Sequence, residues 1–185
     1  MIPLTSLLLP VVLSAVFVFL ASSVIHMALK YHNGDYGKLP NEDAALEALR
    51  KINVSPGDYC APYAGSMEAM KDQAFVDKMA KGPIVTMTVS AGGPLNMASS
   101  LAQWFAYSVV ISFFAAYLTS RVLGPDAHYL TVFRVAGTTA FMGYAMALPQ
   151  HSIWYKKNWV TTAKSMFDGL LYALLTGGTF GWLWP

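Results

Sequence analysis

The chain has 185 residues, 55% of them hydrophobic and 12% charged, with a net charge of +2. So small a charged share, about half that of a soluble globular domain, excludes an ordinary water-soluble fold, and the charge balance gives no basic stripe for a nucleic-acid partner. Cys60 is the only cysteine, which rules out an internal disulfide and any multi-cysteine metal cage.

Apart from Arg121, Arg134, Lys156, Lys157, Lys164, Asp126 and Asp168, every Lys, Arg, Asp and Glu falls between Lys30 and Lys81. The first element is the uncharged run Leu7 to Leu29, long enough to cross a hydrocarbon core of about 30 Å. No Lys or Arg precedes it and no small-x-small cleavage site follows, so it reads as a retained helix rather than a signal peptide. Pro10, one turn inside, marks a kink or a late helix start.

Residues 30–96 read as a soluble α+β insertion. Asn33-Gly34-Asp35-Tyr36-Gly37 is turn-like. Asn41 is placed to cap a short helix with Glu42 and Asp43 in its first turn, Arg50 and Lys51 in its last, and Ala45, Leu46, Leu49 and Ile52 as its apolar stripe. Ser66 can cap a second helix that buries Met67, Met70, Phe75 and Met79. The β-branched alternation of residues 84–90 predicts a strand, partnered by Tyr59 to Tyr63 and limited by Pro62. So short a segment buries little core of its own and calls for packing against the helices or a partner.

Three further spans follow, at about 97–122, 128–148 and 159–184, with Gly124-Pro125-Asp126 as the turn between the first two. Trp104, Trp154, Trp159, Trp182 and Trp184 fall at or near predicted span ends, where indole rings favour the headgroup level. Lys30, Lys38, Lys156, Lys157 and Lys164 lie on one side, against Arg121 and Arg134 on the other. The positive-inside bias then makes residues 30–96 cytoplasmic and leaves both termini outside. The expected fold is an all-α membrane protein, a four-transmembrane-helix bundle with a small α+β cytoplasmic insertion between helices 1 and 2.

Gly169, Ala173, Gly177 and Gly181 recur every four residues in the last span and form one small-residue stripe; Ala136, Ala140 and Gly143 (with Ala147) offer a matching surface on the third. The stripe serves either packing within the chain or contact with another membrane protein or a second copy. Asp168 is the one acid well inside a span, about 12 Å from its cytoplasmic end, and Arg134 lies about 9 Å in from the opposite face of the neighbouring span. The reading is a structural Arg134–Asp168 pair, with a proton or ion relay as the alternative. Lys164 is expected to snorkel to the headgroups. His26 and His151 are the candidates for haem or metal, although no HxxxH spacing is present. No cofactor is expected on that basis. Walker A, GxGxxG, HExxH and GxSxG motifs are all lacking, which argues against catalysis.

Residues 31–36 (Tyr-His-Asn-Gly-Asp-Tyr) after the first span, and the ending from Phe167-Asp168-Gly169 to Trp184-Pro185, resemble small uncharacterised bacterial multi-pass membrane proteins. The resemblance implies a bacterial inner membrane. The function expected from these features is an accessory or scaffold subunit that associates with another membrane protein or with itself. A small oligomeric transporter or ion relay built on Asp168 is the alternative, and a redox or metal protein using His26 and His151 is the third.

Overall fold

The computed structural model describes residues 2–94 and 96–185. It divides into two compact units, Met1–Tyr36 with Asn96–Pro185, and Gly37–Leu95. Residues 30–36 therefore belong with the long helices and not with the insertion.

In the helical unit a 3-10 turn, Leu4–Leu7, leads into α1 (Leu8–Met27). Pro10 sits in the first turn of α1, where a missing N–H costs no helical bond. A second 3-10 turn, Lys30–His32, follows it. After the insertion come α4 (Met97–Val122), α5 (Tyr129–Tyr144), the short α6 (Pro149–Tyr155) and α7 (Trp159–Trp182). Asn96, His128 and Asn158 cap α4, α5 and α7 by accepting bonds from Ser99, Leu130 and Val160 N–H groups. α5 is shorter than the expected 128–148 span, because the chain turns after Tyr144 and Pro149 opens a new helix. The helix from Leu4 to Met27 and the helix Met97–Val122 are long and apolar enough to cross a membrane.

The four long helices close a ring in which α1 and α5 each pack against α4 and α7. Two apolar clusters fill it. One gathers Leu7, Val11, Ala115, Ala116, Val132, Ala136 and Phe180; the other gathers Val18, Ile25, Ile111, Ala140, Tyr144, Tyr172 and Ala173. Between the helices lie small polar residues that bond to one another: Ser14 donates to Ser112 at 2.9 Å, and the Trp104 indole donates to Ser22 at 2.8 Å. Trp104 packs inward among Tyr107, Tyr144 and Tyr172 rather than at a span end. Many of the large apolar side chains point the other way: Leu8, Leu9, Leu20, Val24, Phe113, Phe114, Leu118, Leu130, Met142, Leu170 and Leu174 are exposed.

In the insertion α2 (Glu42–Lys51) and α3 (Gln73–Lys81) accompany a two-stranded antiparallel sheet, β1 (Gly57–Ala61) with β2 (Val85–Val89), in which Tyr59 faces Met87. β1 lies two residues earlier than expected, since Pro62 has no N–H to continue the ladder. Asn41 takes a left-handed conformation and makes no side-chain cap. Ser66 caps only a 3-10 turn, Ala69–Lys71, and α3 starts seven residues later under Asp72, whose carboxylate accepts from the Ala74 N–H. No described residue of the insertion is buried.

Candidate functional site

Leu29 is extended, and the 3-10 turn at Lys30–His32 directs the chain after α1 back toward the helices. That turn brings Tyr31, His32 and, three residues later, Asp35 against the first half of α7, where Lys164 and Asp168 lie one turn apart. The result is a continuous polar chain. Lys164 Nζ donates to Asp35 Oδ1 at 2.8 Å and to the Tyr31 carbonyl at 2.6 Å. Asp35 Oδ2 meets His32 Nδ1 at 2.6 Å, and His32 Nε2 meets Asp168 Oδ2 at 2.8 Å. The Tyr31 hydroxyl donates to the other Asp168 oxygen, Oδ1. His26, exposed in the last turn of α1, sets its ring 4.7 Å from that of His32.

The site is shielded. The Asp168 side chain is 5% exposed, Asp35 9% and His32 13%. Hydrogen bonds from Lys164 and then from His32 hold the Asp35 carboxyl below the usual carboxylate range, so it stays ionised and accepts from both. Burial first, then the bond to Asp168 and the two carboxylate charges, pushes the Tyr31 phenol above its ordinary range, so it remains a protonated donor. Each ring nitrogen of His32 faces a carboxylate oxygen, Nδ1 that of Asp35 and Nε2 that of Asp168. That suits either an imidazolium or, once Nε2 is bare, a cation held between Nε2 and Asp168.

The expected Arg134–Asp168 pair does not form. α5 and α7 run antiparallel with Phe133 level with Gly177 and Tyr144 level with Gly169. Arg134 is therefore some eight or more residues from Asp168 along the pair, at least ~12 Å. It lines a separate groove with Phe133, Gly137, Phe141, Leu170 and Leu174. His26 and His151 are not brought together either: His151 lies against Tyr155, ring centroids 5.9 Å apart, and His26 finds His32 instead. Lys164 turns inward to Asp35 rather than out to headgroups.

The small-residue stripe packs inside the chain. A side chain at Gly177 would lie 2.8 Å from the Phe133 carbonyl, one at Gly169 2.9 Å from Ala145, and one at Gly181 2.7 Å from the Tyr129 ring, while Gly137 approaches the Ala173 carbonyl. Ala136 and Ala140 are buried in the two clusters. Gly143, expected to face α7, instead meets Ile111 of α4, because it lies two residues round the helix from Phe141 and one from Tyr144, off the α7 face. Comparison with protein-family models, with curated proteins and with solved structures finds no match, so geometry alone carries the functional reading.

Proposed function

We propose that the chain is a four-span protein of the bacterial inner membrane that works as a small transporter or ion relay through Asp168, with residues 30–96 cytoplasmic and both termini outside. The membrane reading is supported by an interior in which Ser, Thr, Ala and Gly sit among the two apolar clusters, beneath an exterior rich in exposed Leu, Val, Phe and Met. Such large apolar side chains on the outer faces are the usual arrangement where lipid covers them. The observation that carries the functional reading is the unbroken polar chain from Lys164 through Asp35 and His32 to Asp168 and Tyr31. Ionisable groups at this depth are costly and are kept for ion or substrate pathways.

Asp168→Asn is expected to abolish cation flux in proteoliposomes, read with pH- and zinc-sensitive dyes inside the vesicles, while leaving the protein folded. Unchanged flux would sink the proposal. A second reading, an accessory subunit or homo-oligomer, is favoured by the insertion, none of whose described residues is buried. Native mass spectrometry from source membranes in mild detergent tests it: a defined partner supports a subunit, and a clean monomer removes it.

A further inference from the structure

We infer that His26, His32 and Asp168 bind a divalent transition-metal cation, so that the ion handled at this centre is zinc-like in its chemistry. The inference deepens the reading of Asp168 as the working centre and rests on it. One donor atom from each of the three residues lies within 4.8 Å of the others. Two imidazole nitrogens and one carboxylate oxygen form a set suited to zinc, iron, nickel or copper, whereas magnesium and calcium prefer oxygen throughout. On a tetrahedral ion with bonds of about 2.0–2.1 Å, donor atoms sit about 3.3 Å apart. His32 Nε2 and Asp168 Oδ2, now 2.8 Å apart, need open only by about half an ångström to meet that spacing. His26 supplies the third donor from an exposed position with room to rotate. Three protein donors leave a fourth position open for water or an exchanging ligand.

The surroundings match what a ligating histidine and carboxylate require. Asp35 on Nδ1 of His32, itself anchored by Lys164, is the carboxylate partner that fixes an imidazole so that its other nitrogen faces an ion. Tyr31 occupies Oδ1 of Asp168 and leaves Oδ2 as the ligating oxygen. An independent observation comes from one turn further along α7. The Tyr172 hydroxyl is buried and has no hydrogen-bond partner among the described residues. A buried hydroxyl without a partner is costly, so a polar ligand or water at this end of α7 would satisfy it.

The test is calorimetric titration of the untagged protein in mild detergent with zinc chloride, with cobalt(II) followed in parallel by its visible absorption. One saturable site is expected. His26→Ala, which removes an exposed side chain and leaves Asp168 and its partners in place, should weaken binding at least tenfold, and His151→Ala should leave it unchanged. Absence of saturable binding, or binding indifferent to His26→Ala, overturns the site. The proteoliposome assay separates this outcome from the broader reading. Asp168-dependent flux without zinc binding removes the metal centre and keeps the relay; zinc binding without Asp168-dependent flux keeps the metal centre and removes the relay.

Discussion

Asp35 makes two bonds with different consequences: Oδ2 fixes the His32 ring at 2.6 Å, and Oδ1 accepts from Lys164 at 2.8 Å. Asp35→Asn keeps the shape but offers Nδ1 a weaker acceptor and loosens the ring. Loss of such an outer partner costs 10–100-fold in metal affinity, so zinc binding should fall by about that factor in the same titration while the melting behaviour changes little. An unchanged affinity would mean that Asp35 only tethers the turn to Lys164. At this scale the sequence was partly legible. Asp168 stands out because it is a lone acid in an apolar helix, and His26 because it lies in a span's last turn. Tyr31, His32 and Asp35 stand out only as part of a turn and of the stretch that carries the family resemblance, and their partners lie more than 125 residues away in the chain. The available signal was the His32–Asp35 spacing of three, which lets both side chains face the same way. Arg134 misled because hydropathy places a residue within its own helix but not the register between two helices, which sets Arg134 eight or more residues from Asp168.

At the scale of the element, the α5–α7 contact depends on backbone meeting backbone. A methyl group at Gly177 would press on the Phe133 carbonyl and the Gly137 backbone at 2.8–3.2 Å, with no flexible side chain to yield. Gly177→Ala is expected to destabilise by about 1–3 kcal/mol, as overpacking does, seen as a lower thermal midpoint in detergent. Gly178→Ala, whose methyl would meet only the Tyr129 hydroxyl at 3.7 Å, should leave the midpoint in place; equal effects at both positions would show that helix propensity rather than packing is measured. The stripe on α7 was readable from its four-residue period. Its partner surface was readable in part: Ala136 and Ala140 are buried with α7 residues, but α5 carries small residues on several sides, and Gly137 is used against α7 and Gly143 against α4. In the insertion both helices and the strand pair were legible from apolar spacing and turn residues, although neither expected cap, Asn41 or Ser66, caps its helix. Their edges moved where Pro62 and Asp72 overrode periodicity.

For the whole molecule, the single cysteine is a ready reporter of sidedness. Cys60 lies exposed on β1 in the insertion. If residues 30–96 are cytoplasmic, as proposed, a membrane-impermeant maleimide should label it only after the cells are opened, and labelling in intact spheroplasts would invert the proposed topology. Composition made the apolar, helical character legible, and the basic residues suggested an orientation. How the helices pair in a ring was not legible, because that depends on which small residues meet. The centre itself has a consequence for biosynthesis. Its residues come from the turn after α1 and from α7, so His32 waits for a partner that is 136 residues downstream. At about 5–20 residues per second of synthesis, that delay is roughly 7–27 s. Until α7 arrives, His32 and Asp35 lack both Asp168 and Lys164. The polar chain therefore closes only once α7 has been made and folded against the turn that follows α1.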